Sequence, residues 1–339
     1  MRRCPLERPA ARRSIAESIR NGECQVMQIP LPPRTRELIE RTLRTAPQAV
    51  HPGLLLDKYV GSVDHNGNAP DKLSEKVQKP TVEQIAKHSS APPSGLDYTK
   101  LFEQRRKHLG ALPTVAFRGS AVTPLTLHLS RASALENAGL CLHHVYGFAY
   151  LPGTGLKGLA RSYAETVWFP TQFEADDDGR PKDDAQHARA AAAWQKIEEV
   201  FGWSPNSDAR KRWKPSGLPK HDRDDASHVG RIVFHDAWPV QWPRLKQDIL
   251  NCHHRDYYEG NDAPGDWENP VPVYFLAIER GQEFEFALGK RRDDVPDELL
   301  GLARQWLVGG LTHFAAGSKT NSGYGSFELT AQDAALPQS

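Results

Sequence analysis

Two glycine-punctuated segments hold the residues best placed to do chemistry, and that chemistry is the grip of a phosphate chain. The first is Leu151-Pro-Gly-Thr-Gly-Leu-Lys-Gly-Leu-Ala-Arg161; the second is Gly317-Ser-Lys-Thr-Asn-Ser-Gly-Tyr-Gly325. Each joins backbone rich in N–H donors to a cation. Glycine admits close approach, the amides bind oxygen, and Lys157, Arg161 and Lys319 supply positive charge. In this order and between these flanks, the pair points to RNA. Lys157 and Arg161 are four residues apart on a predicted helix, so they share one side. That side is either a phosphate contact or a plain solvated face. Tyr324 either stacks on a base or ribose or packs under its own loop.

Other chemistries fit less well. Gly153-Thr-Gly-Leu-Lys-Gly158 matches G-x-G-x-x-G, but no second strand with a ribose-binding acid follows, only a proline and an aspartate run. Lys157 is followed by Gly158 rather than Ser or Thr, so this is not a Walker loop. No cofactor is called for. The 14 histidines invite a metal or nuclease reading. Adjacent His143 and His144 on a strand would point to opposite faces, and Cys252-His253-His254 lacks a second ligand pair at finger spacing. A metal-free ribonuclease needs a general base near a 2′-hydroxyl. His51, His128, His144, His235 and His313 are all conceivable, and the sequence selects none. Asp236 would hold a metal or cap a turn.

The chain has 339 residues, 39% hydrophobic and 25% charged, with net charge +1. That suits one large globular domain or two ordinary ones, and argues against a grip by bulk charge alone. Residues 1–44 are locally basic, with ten arginines against five glutamates. No apolar run approaches the roughly 20 residues of a membrane span, and neither a signal peptide nor a membrane partner is expected. The four cysteines are scattered and form no C-x-x-C pair, which predicts a reduced cytoplasm.

These residues need elements to position them. Residues 1–50 read as a basic arm with one helix after Pro33. Residues 51–339 read as a single domain with irregular insertions near 61–96, 170–228 and 240–268. Within 114–330 the pattern predicts strands at 114–117 and 123–129, a helix after the first glycine segment, and a strand at 230–239. It then predicts a strand pair, 271–278 with 282–288, a helix over 296–308 and a last strand at 326–330. The order is β–α–β–β–α–β, an α+β ferredoxin-like (RRM-like) fold. Such a fold covers one face of its sheet with helices and leaves the other open, the usual RNA platform.

Tyr150-Leu-Pro-Gly-Thr-Gly-Leu-Lys-Gly-Leu-Ala-Arg161 resembles the P-G-S-S-x-K-G-x-x-R segment of RAMP proteins from CRISPR–Cas effector complexes. Phe201-Gly202, Gly230-Arg-Ile-Val-Phe-His-Asp-Ala237 and Gly317–Gly325 resemble that superfamily's later landmarks. Pro52-Gly-Leu-Leu-Leu-Asp-Lys-Tyr59 and Asn269-Pro-Val-Pro272 narrow the resemblance to the sixth-subunit family of the type III-B (Cmr) complex. The resemblance implies a noncatalytic RAMP fold subunit that binds guide RNA backbone toward its 3′ side. Its other partners would be neighbouring Cmr RAMP backbone subunits and target RNA. Carried over by position, the RNA contacts are Gly153, Thr154, Gly155, Lys157, Gly158 and Arg161 with Lys319, Thr320, Asn321, Gly323, Tyr324 and Gly325. Thr154-Gly155 replaces the family's Ser-Ser, and His51 stands where asparagine is common. The alternatives are a RAMP-type metal-independent endoribonuclease that processes CRISPR repeat RNA, and a protein–protein adaptor.

Overall fold

The computed structural model describes residues 28–61, 75–129, 139–203, 227–252, 260, 263 and 271–329. Residues 1–27 of the expected arm lie outside these. So do 204–226 of the second insertion and most of 253–270. The arm's helix is present as α1 (Pro33–Thr45), with Pro32 and Pro33 fixing its start and no buried residue.

The fold is mixed helix and sheet. Its central sheet is built from β1 (Thr114–Ala121), β4 (Ile232–Phe234), β8 (Gln282–Lys290) and β9 (Phe327–Leu329), in the order β4-β8-β1-β9. The short β5 (Trp238–Pro239) also pairs with β8, and the paired neighbours are antiparallel. On one face Phe117 stacks on Phe286 at 5.1 Å, beside buried Phe284. Helices α5 (Gly153–Tyr163) and α7 (Asp297–His313) pack together over this face, and the Arg304 guanidinium lies 5.4 Å from the Phe117 ring centroid.

The opposite face is not the open platform expected. Helix α4 (Tyr98–Gly110) brings Arg105 and Arg106 against Glu285, which is only 3% exposed. Arg118, opposite Glu285 in the β1–β8 register, approaches the same carboxylate at 3.8 Å. A carboxylate taken out of water needs such partners. The face around Glu285 is therefore an ion-paired seam.

Several sequence expectations are corrected. The expected strand pair 271–278 with 282–288 does not form. β7 (Val271–Ile278) pairs instead with β6 (Leu245–Cys252), which arises inside the expected 240–268 connection. Tyr274 through Ile278 are all buried, so both faces of β7 are covered. One edge takes β6, and on the other Ile278, where a hairpin with β8 would have to begin, bridges Leu125 instead. The chain turns at Gly281, φ 79°, whose amide donates to Ala121 O, and β8 joins the central sheet. The expected 123–129 strand is reduced to that one bridge, because Pro124 lacks a donor and His128 adopts φ 59°. Within the expected 61–96 insertion, the one helix the sequence predicts, over 81–88, is longer than expected: α3 (Glu75–Ser89) runs through Pro80 and packs on β6 and β7, with Val82, Ile85 and Ala86 buried. Within 170–228 the alanine-rich helix that the sequence predicts up to Phe201 is present as α6 (Asp184–Phe201), and it sets Trp194, Ile197 and Val200 into the main core.

Glu285→Leu is expected to cost roughly 3 kcal/mol, because it strands Arg105 in a low-dielectric seam. A urea midpoint that falls with an unchanged slope would check this.

Candidate nucleic-acid interface

The first glycine segment is not a loop but the opening turns of α5, which begins at Gly153 itself. Asp236, between β4 and β5, explains the early start. Its Oδ1 accepts the Gly153 N–H at 2.7 Å, placing a carboxylate at the positive end of the helix. A Cβ on Gly153 would lie 2.1 Å from Phe234 O, so this position is glycine for packing. Its amide is already satisfied and does not wait for phosphate. Asp236 thus caps the start of α5.

Gly155 and Gly158 differ. Both are helical and exposed, and a Cβ on either would meet nothing within 4 Å. The fold does not require glycine there, and alanine would be the better helix former. What the two glycines provide is bare helix backbone beside exposed Thr154 and Ser162.

The second segment is a turn stapled at its base. Gly317 (φ 95°) and Gly325 (φ 77°) leave no room for a Cβ, which would lie 2.3 Å from Thr126 O and 1.9 Å from Ala316 O respectively. Ser318 N–H donates to Thr126 O, and Ala316 N–H to Gly325 O. Between these staples Lys319 and Gly323 take left-handed conformations around one tight turn, Thr320–Ser322, with Asn321 exposed at the tip. Tyr324 packs under the loop: its hydroxyl donates to Asp248 Oδ2 at 2.9 Å and its ring lies 5.9 Å from that of Phe275. Burial and this hydrogen bond push the phenol pKa up to about 12. Burial pushes the Asp248 carboxyl up, but hydrogen bonds from Lys246, the Ile249 amide and Tyr324 outweigh it and leave the group below the usual carboxylate range. The Lys319 ammonium sits 5.3 Å from the Phe275 centroid.

The two segments meet. A cavity of about 530 Å³ separates them, with Thr154, Gly155, Gly158 and Ser162 on the α5 side and Gly317, Ser318 and Thr320 on the other. Leu127, His128, Leu159, Phe314 and Ala315 are among its other walls. None of the three expected cations lines it. Lys157 stands on the flank of α5 with Arg161 and with Arg291, which follows β8; burial first, then these two like charges, lowers its pKa. Arg161 is paired with Glu165 at 2.6 Å. Lys319 lies over the second sheet. The anion-attracting residues therefore flank the cavity rather than fill it.

Sequence reasoning did not find Arg291, Ser162 or Phe314. Ser162 was readable as the residue one turn beyond Gly158, whereas the nearness of Arg291 depends on tertiary packing. Of the five candidate histidines only His128 lines this cavity; His51 and His144 line another. Among the described residues no group of three or more His, Cys, Asp or Glu could hold a metal ion. No described helix is long and apolar enough to cross a membrane.

The chain belongs to the RAMP superfamily, whose family model matches residues 65–328. It is similar to the CRISPR system Cmr subunit Cmr6 of Pyrococcus furiosus, with 25% identity over 256 residues, 67% of this chain and 72% of that protein. Among solved structures, a chain in the cryo-EM structure of a type III-B Cmr-β complex bound to cognate target RNA is 18% identical. It covers 76% of this chain and 77% of that chain, with a TM-score of 0.48. The crystal structure of Cmr6 from Pyrococcus furiosus is 22% identical, covers 64% of this chain and 98% of that one, and has a TM-score of 0.35.

The glycines separate by experiment. Gly153→Ala should destabilise the fold by about 1–3 kcal/mol, since backbone must move. Gly158→Ala should stabilise it by up to about 1 kcal/mol while weakening RNA binding; melting and a filter-binding titration on the same samples check both. Tyr324→Phe should cost about 1 kcal/mol near neutral pH, a hydrogen bond to a partly screened carboxylate. Because the Asp248 pKa is lowered on folding, its stabilisation is present above the ordinary carboxylate range and is lost as pH falls through the folded value. The difference between wild type and variant, read by urea unfolding, should therefore shrink below about pH 4.

Proposed function

We propose that this chain is a noncatalytic RNA-binding subunit of a type III-B CRISPR–Cas effector particle, acting in the cytoplasm in defence against foreign RNA. It holds guide RNA backbone near the 3′ side, beside target RNA, and touches neighbouring RAMP subunits. Membership of the superfamily and similarity to Cmr6 support the assignment. The strand order, second-third-first-fourth by appearance, supports a ferredoxin-like (RRM-like) core with helical additions.

One observation carries the RNA reading. Gly155 and Gly158 are glycine where the fold tolerates a side chain, and they lie between three clustered cations and the 317–325 turn. Bare helix beside a group of cations, of which Arg161 is paired with Glu165, suits a sugar–phosphate strand. The grip is local, in keeping with a net charge of only +1.

Lys157→Glu, Arg161→Glu and Arg291→Glu together should weaken guide-RNA binding by the assembled particle. The slope of log affinity against log salt should fall by about one for each cation that meets a phosphate. Unchanged affinity and slope at physiological salt would refute the placement.

His128, on the cavity wall in a left-handed conformation, favours a second reading, an endoribonuclease with His128 as general base. Defined cleavage of precursor repeat RNA in the presence of chelator, lost in His128→Ala, would select it.

A further inference from the structure

The cavity has the wrong walls for a phosphate and suitable walls for a base. A phosphate seeks cations and converging amides, yet Lys157, Arg161 and Lys319 all lie outside. The walls are mainly apolar, with Leu127, Leu159, Phe314 and Ala315 among them, and His128, Thr154, Ser162, Ser318 and Thr320 supply polar groups. Its volume, about 530 Å³, falls within the range of roughly 300–1,000 Å³ typical of small-molecule clefts.

The geometry points to a pocket for one unstacked nucleobase of the bound strand, an assignment that rests on the RNA reading above. The cations flanking α5 hold the backbone. Gly155 and Gly158 let the strand cross the helix without obstruction. The base then turns inward against Phe314 and the aliphatic wall, as single-stranded RNA is commonly held on apolar and aromatic surfaces. The four hydroxyls can each donate or accept, so they satisfy the edge of more than one kind of base. Such a site would prefer a base to no base while tolerating its identity.

A second observation concerns the cavity's rim. Among the described residues, the non-glycine positions with left-handed φ are His128, Ala315 and Lys319. The first two line the cavity, and the third directly follows Ser318, which also lines it. Unfavourable backbone conformations persist where surrounding structure enforces them, and they concentrate at ligand sites.

The test is an abasic scan. Guide RNAs each lacking one base are titrated against the assembled particle carrying wild-type, Phe314→Ala or Gly158→Leu protein. Gly158→Leu places bulk in the cavity from a position where a Cβ meets nothing, so it should fold even if Phe314→Ala does not. With wild type, one nucleotide position should show a loss of roughly tenfold on base removal. Both variants should bind intact RNA about as weakly as wild type binds that abasic RNA, and should lose the positional penalty, with the salt slope kept. Salt-dependent binding with a flat scan, or a penalty that survives both variants, would overturn the pocket and leave the backbone assignment standing. In that case the cavity would be empty or would hold a protein side chain. No RNA binding by the wild-type particle would overturn both.

Discussion

The site depends on a close approach at one residue. Where α5 begins, Gly153 presses on the backbone of β4 with no space for a side chain, and its amide is tied to Asp236. This contact fixes where the helix starts and how it lies on the sheet. Leu156 and Ala160 then fall into the core, and Gly155, Gly158 and Ser162 are left on the outside. α7 packs on α5, and its end delivers Phe314 and the 317–325 turn to the same cavity. The turn is anchored by a similar device, with Gly317 and Gly325 against main-chain oxygens. Two segments far apart in the chain are thereby held at a fixed separation.

The electrostatics divide the work. At the helix start, the carboxylate of Asp236 occupies the place an anion would otherwise take. Anion attraction passes to side chains further along, where Arg161 and Arg291 are near enough to lower the Lys157 pKa and Arg161 is paired with Glu165. At the turn, Lys319 and Tyr324 are turned toward Phe275 and Asp248 of the second sheet, so that sheet stabilises the loop from behind. The tip, with Thr320 and Asn321, is what remains to face a ligand.

Much of this was legible in the sequence. The helix of α5 followed from Leu156, Leu159, Ala160 and Tyr163, and that of α7 from Leu299, Ala303 and Trp306, because one-sided burial imposes helical periodicity. Strands at 114–117, within 230–239, at 282–288 and at 326–330 were each legible from alternation and bounding turns. The partner of β7 was not legible: its apolar run fits any neighbour, and β6, with Lys246, Gln247 and Asp248, does not read as a strand. The glycines could be located but not interpreted. Nothing in the sequence separates Gly153, which a backbone oxygen crowds, from Gly158, which nothing crowds. The closure of the sheet's second face by α4 was also hidden, since Arg105 and Glu285 are 180 residues apart.

The most direct measurement is photocrosslinking from defined side chains. p-Benzoylphenylalanine placed at Ser162 on α5, at Asn321 on the turn, and at exposed Leu112 beyond α4 would be irradiated in the particle loaded with guide RNA. The account predicts RNA crosslinks from Ser162 and Asn321 and none from Leu112. Crosslinks from Leu112 with silence at the other two would contradict it, because the strand would then run elsewhere on the molecule.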